Sequence, residues 1–526
     1  MINTLRNTVL GTLAAALLLA ACSKKDVATV TPTQPATTST TDQLLDSIFL
    51  YAKQLYLWNT MLPDSSVFKP RSYDAGSGTD SAKGYAEIFA LSRYAVNPAT
   101  GKSYEYNVQY TTRNKYSYIE GSASIGNTTS FVSNSSDFLD GKDEGYGIYA
   151  GLWNDTTVYL RYVETGSPFY NAGFRRGDRI LSIGGTKLDF TSTDSSSYGL
   201  INKAMNATNG TSTDFVIQKR SSGTPFNDTI SMTASIFNFD PVFKDTVLTA
   251  NGKSIGYLAF RSFTNWPNSA SAHLNSAFTK FASANIDELV VDLRYNGGGY
   301  VETSANFANL IVPQSANGKK MYAQYYNATM SGGNATLLTK QGYSSNGNNW
   351  TSTFNTLNFS KLGSVNNLAR VFFLVSDETA SAAELLINNL KPYMTVNLIG
   401  TEWEAGSGSN TYGKPVGFFP VTIGKYDMYI PEFWSKNAND DGDYFQGMTV
   451  NNISTDDARY DFGNVKETAL AQAIYYISNG SYNSNLSNGN IMNNAKSMPM
   501  NGIKRRALPQ STKSSFNGMV NQLQRR

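Results

Sequence analysis

The segment ELVVDLRYNGGGY, residues 288–300, joins an apolar run to a turn with three consecutive glycines. The run from Glu288 to Leu293 has the length and the Val/Leu content of a buried β-strand. Consecutive glycines after a strand let the backbone turn tightly and leave N–H groups that no side chain covers. Such groups can hold a developing negative charge, although most glycine-rich turns are only turns. The segment therefore predicts an inner strand followed by a candidate oxyanion-binding turn.

Strand-like and helical patterns alternate around this segment. We expect strands at 254–260, 288–293 and 370–375, and helices at 270–284 and 380–390. Strands that alternate with helices are typical of α/β domains. The sequence thus predicts an α/β fold for the chain after about residue 240.

The segment VFFLVSDETASAAELLINNL, residues 371–390, places Ser381 where a buried strand is followed by a helix. A hydroxyl at the first turn of a helix lies near the positive end of the helix dipole, beside free N–H groups such as that of Ala382. That position stabilises an alkoxide, so Ser381 is a candidate nucleophile. A simple helix cap is the alternative, because serine favours helix starts for hydrogen-bonding reasons alone.

The segment NTYGKPVGFF, residues 410–419, places Lys414 in a turn before an apolar stretch. Burial disfavours the ammonium form and can bring the pKa of a lysine from about 10.4 to within reach of neutral pH. A neutral amine can accept the proton of a serine hydroxyl, so Lys414 is a candidate general base. The alternatives are a solvated turn lysine and, as a weaker candidate for the base, Lys425.

Short strands with helical turns between them are predicted from residue 143 to residue 238. The string GSPFYNAGFRRGDRILSIGGTKL, residues 166–188, resembles a PDZ domain in its helix lead-in, Gly-Asp turn and following strand. On that resemblance, GYGIYAGL at 145–152 is the carboxylate-binding loop and first strand of a domain that binds peptides by strand addition. The loop positions are Gly145, Gly147 and Ile148. A generic small β domain is the alternative.

The segments 288–300, 371–390 and 410–419 together resemble the carboxy-terminal (tail-specific) processing peptidase family. That family carries a DLR-x-N-x-GG turn, a T-A-S-A-x-E segment and a G-K segment. The resemblance extends over residues 143–478. It implies a crotonase-like, ClpP-type α/β core after a PDZ domain, and a serine endopeptidase that acts on unfolded or C-terminally recognised polypeptides without a cofactor. It further implies Ser381 as nucleophile, Lys414 as general base, and the Gly298 and Ala382 amides as oxyanion donors.

Two departures from the family pattern concern the general base. Family members often carry a glutamine four residues after the lysine to orient its amine, whereas this chain has Phe418, so Gln446 or a backbone carbonyl is an alternative orienting group. The stretch EWEAGSGSN, residues 402–410, lengthens the connection between nucleophile and base. A catalytically weak or inactive peptide-binding lipoprotein of the same fold is therefore the alternative function. His273 is the rival base, although its helical spacing favours a helix surface.

The counts of residue types exclude several classes of protein. The chain has 526 residues, a net charge of +3, one histidine and one cysteine. A transition-metal site built from several histidines and an intramolecular disulfide are therefore excluded, and no charge excess points to nucleic acid. We expect no metal or cofactor, and polypeptides as partners.

The first residues have the features of an export signal. Arg6 precedes an apolar run that ends in LAAC, residues 19–22, with small residues before Cys22. This segment resembles a bacterial lipoprotein processing site. It implies that Cys22 carries a lipid anchor and that the protein lies in the envelope of a diderm bacterium, on the outer membrane or a periplasmic face.

The predicted organisation is a signal peptide at 1–22, a flexible tether at 23–43, a mainly helical region at 44–138, a PDZ domain at 139–238, a peptidase core at 239–478 with an inserted surface segment at about 314–362, and a poorly ordered polar and basic tail at 479–526.

Overall fold

The computed structural model describes residues 39–487 and 518–521, apart from gaps at 76–77, 109, 122–134, 155–156, 192–195, 221–223, 367 and 404–408. The predicted signal peptide, including Cys22, and most of the predicted tether lie outside the described residues. None of the helices in the described part of the chain has both the length and the apolar character that a membrane crossing requires.

The described residues of the N-terminal region form three α-helices and three short strands. They are α1 (Thr40–Leu55), α2 (Ser65–Phe68), α3 (Asp80–Ser92), β1 (Val96–Asn97), β2 (Lys102–Ser103) and β3 (Tyr118–Gly121). Helix α1 buries Leu44, Ile48 and Leu55 on one face, as their helical spacing predicts. It begins at Thr40, so the predicted tether ends four residues earlier than expected.

The second region is built around an antiparallel sheet. Its elements are α4 (Ser135–Leu139), β4 (Lys142–Gly145), β5 (Ile148–Asn154), β6 (Thr157–Val163), α5 (Pro168–Asn171), β7 (Arg179–Ile183), β8 (Thr186–Lys187), α6 (Ser196–Met205), β9 (Ser212–Lys219), β10 (Phe226–Thr233) and β11 (Ser235–Asn238). The strand order is β10-β9-β7-β6-β5, with β8 on β7, while β11 pairs with β4. The prediction of short strands with helical turns between them over residues 143–238 agrees with this order of elements.

The third region alternates strands and helices. Its elements are β12 (Val242–Ala250), β13 (Lys253–Phe260), α7 (Ser271–Ser283), β14 (Glu288–Asp292), β15 (Gly298–Tyr300), α8 (Val301–Ile311), β16 (Lys320–Tyr326), α9 (Ala328–Ser331), β17 (Thr356–Asn358), β18 (Arg370–Val375), α10 (Ala382–Leu390), β19 (Thr395–Glu402), β20 (Val416–Gly417), β21 (Val421–Ile423), β22 (Tyr426–Tyr429), β23 (Phe433–Asn437), β24 (Asn452–Thr455), α11 (Thr468–Asn479), α12 (Ser484–Ser487) and β25 (Gly518–Val520).

A six-stranded sheet forms the centre of this region, in the order β12-β13-β14-β18-β19-β24. All neighbours from β13 onward run parallel, and only the edge strand β12 is antiparallel. Successive residues of β14 enter different cores: Leu289 and Val291 pack with α7, α8 and α10, whereas Val290 packs with α11. Helices therefore cover both faces, which explains the continuous apolar strands and confirms the predicted α/β class.

The segment 314–362 is more than a surface insertion, so that prediction is wrong. Strand β16 lies between β17 and β23 in a four-stranded sheet. The buried side chains of Met330, Leu338 and Trp350 share one apolar cluster with residues of α1. The segment thus belongs to the core that joins the N-terminal region to the third region.

The prediction of a poorly ordered tail from residue 479 is also wrong for the residues that the structure describes. Helix α12 follows α11 at Ser484–Ser487, and β25 forms a buried strand at Gly518–Val520. The sequence missed β25 because three residues in an Asn/Ser-rich context carry no strand pattern of their own.

Candidate active site

Ser381 lies at the junction of β18 and α10, where its segment predicts it. It is the N-cap residue of α10 and has φ +57° and ψ −112°, a conformation that costs a non-glycine residue about 1–3 kcal/mol. The residue is fully buried, and its Oγ satisfies no hydrogen bond among the described residues. A strained backbone with an unsatisfied buried hydroxyl is a feature of functional sites.

The carboxylate of Glu384 holds the Ser381 and Lys414 segments together. Its Oε2 accepts hydrogen bonds from the backbone N–H of Ser381 and of Lys414, each at 2.8 Å. Its Oε1 accepts from the Thr411 hydroxyl at 2.6 Å and from the Gly413 N–H at 2.7 Å. Because two backbone nitrogens share one oxygen, the first turn of α10 lies directly beside the lysine turn. Burial raises the pKa of Glu384, while the four donors act in the opposite direction.

Lys414 is only 1% exposed, so the alternative of a solvated turn lysine is wrong. Its Nζ lies 4.7 Å from the ring centroid of Phe418 and 5.7 Å from that of Tyr116. Burial lowers the pKa of Lys414 from 10.5 to about 7, against the opposing effects of Glu105 and Glu384. A substantial fraction of this amine is therefore neutral near pH 7 and able to accept a proton.

The N-terminal region completes the enclosure of this lysine. The Tyr116 hydroxyl donates to the Gly413 carbonyl oxygen at 2.8 Å, so its ring is fixed against the lysine turn. The neighbouring Lys115 donates to the Phe445 carbonyl oxygen at 2.6 Å, and burial lowers the pKa of Lys115 to about 8. Its positive charge also favours the neutral form of Lys414.

The glycine turn reaches Ser381 at Gly298, which has φ +114°. A Cβ at Gly298 would lie 2.3 Å from the Gly518 carbonyl oxygen and 2.9 Å from the Ser381 Cβ, so a side chain does not fit there. The Gly298 N–H donates to Asn296 Oδ1 at 2.9 Å, and its predicted role as an oxyanion donor requires that this bond be broken or shared. Ala382 is the first residue of α10, so its N–H has no acceptor within the helix.

The predicted carboxylate-loop residues lie around the start of β5. Gly145 ends β4 and pairs with Ser235, and Ile148 begins β5. Gly147 has φ +72°, and a Cβ there would lie 2.1 Å from the Cβ of Ser167, the N-cap of α5. Strand β5 is at the edge of its sheet and contacts α6, and an edge strand beside a helix can accept a peptide as an added strand.

A buried charge network connects the second region to the glycine turn. The Asp456 carboxylate accepts from Arg176 at 2.6 Å, Arg161 at 2.9 Å and Arg294 at 3.1 Å. The Tyr295 hydroxyl donates to the same carboxylate at 2.6 Å and accepts from Arg176. Burial alone would raise the pKa of Asp456, but the three guanidinium groups hold it well below its ordinary value. Residues 294 and 295 directly precede the glycine turn, so the two regions share this network.

The alternative bases and orienting groups lie at the surface. His273 on α7 is 42% exposed, and its Nδ1 is 2.8 Å from Asp240 Oδ2. Lys425 and Gln446 are exposed. None of the three shares the buried environment of Ser381, whereas Lys414 does.

Sequence reasoning missed two groups that position the site. Glu384 is the last residue of the T-A-S-A-x-E segment, and a carboxylate on the apolar side of a helix was the signal that could have revealed its role. Tyr116 lies in a region with no motif, so nothing in the sequence marked it.

A model described as peptidase family S41 matches residues 254–426, and a PDZ domain model matches residues 159–198. Carboxyl-terminal-processing proteases from Synechocystis sp. and Picosynechococcus sp. are each 24% identical to this chain, over 55% and 50% of its length. The matches cover 59% and 54% of those proteins, so the chain spans little more than half the length of these curated relatives. A crystal structure of a protein assigned as an S41 protease from Bacteroides fragilis has a TM-score of 0.55 at 21% identity, over 83% of this chain and 97% of that chain, and thus shares the fold.

Proposed function

We propose that this chain is a serine endopeptidase of family S41 that cleaves unfolded or C-terminally recognised polypeptides, because an S41 model matches residues 254–426, a PDZ domain model matches residues 159–198 and carboxyl-terminal-processing proteases are its relatives. Ser381 is the nucleophile and Lys414 the general base. The observation that supports the proposal is the Glu384 oxygen shared by the backbone N–H groups of Ser381 and Lys414, together with the burial that lowers the pKa of Lys414.

The proposed reaction is acyl transfer. Neutral Lys414 accepts the proton of the Ser381 hydroxyl as Oγ attacks the peptide carbonyl carbon. The Ala382 N–H, and the Gly298 N–H once it leaves Asn296, hold the oxyanion. The lysine ammonium then protonates the leaving amine, and the neutral amine activates a water molecule that hydrolyses the acyl-enzyme.

The PDZ domain is proposed to supply the substrate. An extended peptide adds to the edge of β5, and its terminal carboxylate meets the backbone around Gly145, Gly147 and Ile148. The hydroxyl of Tyr149 in β5 donates to Glu378, three residues before the nucleophile, at 3.1 Å. Peptide capture at β5 therefore takes place next to the turn that presents Ser381.

The proposed location follows from the first residues of the sequence. Cys22 is the lipid-bearing residue, and the enzyme acts on polypeptides in the envelope of a diderm bacterium, attached to a membrane through that lipid. Metabolic labelling with a fatty-acid analogue tests this, because Cys22→Ser should abolish incorporation while leaving peptidase activity in detergent intact.

Cleavage of casein, together with covalent labelling of Ser381 by a fluorophosphonate, tests the catalytic proposal. We expect Ser381→Ala to abolish both readouts and Lys414→Ala to reduce both to background. His273→Ala and the surface substitution Lys425→Ala serve as controls and should retain the wild-type rates. Unchanged casein cleavage by the Lys414→Ala protein would contradict the assigned base, and absence of any Ser381-dependent cleavage would leave the inactive peptide-binding protein as the function.

A further inference from the structure

The strand β25 comes from far along the chain and lies between two segments of the candidate active site. On one side it pairs in parallel with Gly298–Tyr300, and its Gly518 N–H donates to the Gly297 carbonyl oxygen at 3.1 Å. On the other side the Phe418 N–H donates to the Met519 carbonyl oxygen, and the Asn521 N–H donates to the Phe418 carbonyl oxygen, both at 3.0 Å. The segment 518–521 thus completes a sheet in the way that an added peptide strand does.

Both walls of this strand position belong to the catalytic machinery. One wall is the glycine turn, and the other is the stretch that follows Lys414 by four residues. The Gly518 carbonyl oxygen and the Ser381 Cβ both lie on the side of Gly298 where a side chain would project. A Cβ on Gly298 would be 2.3 Å from the Gly518 oxygen and 2.9 Å from the Ser381 Cβ. A peptide in this position therefore has a backbone carbonyl oxygen beside Gly298, close to the side chain of Ser381.

The strand also fills a side-chain pocket. Met519 is fully buried within the apolar cluster of the α7, α8 and α10 face. Its Cγ is 2.5 Å from where a Cβ on Gly417 would lie, and its Sδ is 4.0 Å from Ser435 Oγ. Val520 packs on the opposite side with Phe418 and Tyr429. The pocket is thus shaped for an unbranched apolar side chain that follows a glycine.

We propose that residues 518–521 occupy the substrate-peptide position as a pseudosubstrate, and that the same subsite accepts an unbranched, methionine-sized apolar side chain of the polypeptide substrate. The proposal rests on the peptidase function proposed above. Because the strand belongs to the same chain, it competes with substrates as an intramolecular ligand. The described arrangement is self-inhibited, and Ser381 becomes accessible when the strand leaves.

The test compares full-length variants in casein cleavage and in the rate of Ser381 labelling by a fluorophosphonate. Met519→Asp places a charge in the apolar pocket and should raise both rates about tenfold to a hundredfold, the factor that burial of a methionine side chain represents. Gly518→Pro removes the N–H that donates to Gly297 and should act in the same direction. Met500→Asp adds the same charge outside the strand and should stay close to wild type.

A synthetic peptide provides a test that does not depend on the folding of each variant. FNGMVNQ, the sequence of residues 516–522, should bind the Met519→Asp protein when fluorescently labelled and return its casein cleavage towards the wild-type rate. FNGDVNQ should do neither. Failure of FNGMVNQ to bind, or rates in Met519→Asp and Gly518→Pro equal to or below wild type, would identify β25 as a permanent structural strand and overturn the proposal. Casein cleavage that still depends on Ser381 in that case would leave the peptidase function standing, whereas peptide binding without any Ser381-dependent cleavage would overturn the peptidase function alone.

Discussion

Replacement of Tyr116 by alanine should shift the pH dependence of Ser381 reactivity to higher pH. The difference between 10.5 and about 7 in the pKa of Lys414 corresponds to roughly 5 kcal/mol in favour of the neutral amine. Burial is the main cause, and the Tyr116 ring forms one wall of the enclosure, 5.7 Å from the Lys414 Nζ. Removal of this ring admits water to the ammonium form and raises the pKa of Lys414.

The expected size of the effect follows from the titration of one group. With a pKa of about 7, half of Lys414 is neutral at pH 7. If water access returns the pKa to about 9, the neutral fraction at pH 7 falls to about 1%, so the rate falls roughly fiftyfold and recovers above pH 9. The rate of Ser381 labelling by a fluorophosphonate, measured from pH 5 to pH 11 in the Met519→Asp background, gives the midpoint directly.

Tyr116→Phe is the matched control, because it retains the ring and removes only the hydroxyl that donates to the Gly413 carbonyl oxygen. Its midpoint should remain near that of the parent protein. A Tyr116→Ala midpoint that coincides with the parent midpoint would refute the assignment of the enclosure as the cause of the lowered pKa. A parent midpoint near 10 would refute the lowered pKa itself.

Three further substitutions address stability and positioning. Glu384→Ala leaves four buried donors without their acceptor, at about 1–3 kcal/mol each, so it should abolish Ser381 labelling and lower the urea midpoint; labelling at the wild-type rate would contradict its positioning role. Asp456→Asn should lower the free energy of unfolding in urea by about 3–5 kcal/mol, since it leaves buried guanidinium groups uncompensated, and a change below about 1 kcal/mol would contradict this. Glu87 is buried without a hydrogen-bond partner among the described residues, and burial raises its pKa to about 9. Between about pH 4.5 and pH 9 the folded state therefore holds a proton that the unfolded state has released. The stability that the protonated carboxyl contributes is complete below about pH 4.5, and the free energy of unfolding then falls by about 1.4 kcal/mol per pH unit up to pH 9. Glu87→Gln should flatten that slope in thermal unfolding, whereas exposed Glu302→Gln should not.

The sequence predicted those parts of the fold whose signals are local. The continuous apolar run at 370–375 predicts a buried strand, and the spacing of apolar residues in α7 predicts a helix. The structure confirms both almost residue for residue. The proximity of Ser381 and Lys414 was expected from the family resemblance, because each lies in a short motif.

The parts that were not predicted depend on contacts between distant segments. Tyr116 and Lys414 are almost 300 residues apart, and no pattern near either residue indicates that they meet. Strand β25 has three residues, too few for an alternating pattern, and it forms only because Gly298 and Phe418 supply hydrogen-bonding partners on both sides. The segment 314–362 was misjudged because its Asn/Ser/Gly content resembles a surface loop, although its aromatic residues pack against α1.

The enclosure of Lys414 by the N-terminal region has a consequence for any attempt to isolate a minimal enzyme. The stretch that matches the family model, 254–426, contains serine and lysine alike but leaves out Tyr116 and the apolar side chains of α1. If Ser381 and Lys414 form the proposed pair, a fragment cut to those limits would leave the lysine amine in water and protonated at physiological pH, so we expect it to be inactive. A fragment meant to test the proposed peptidase activity should therefore begin near residue 40.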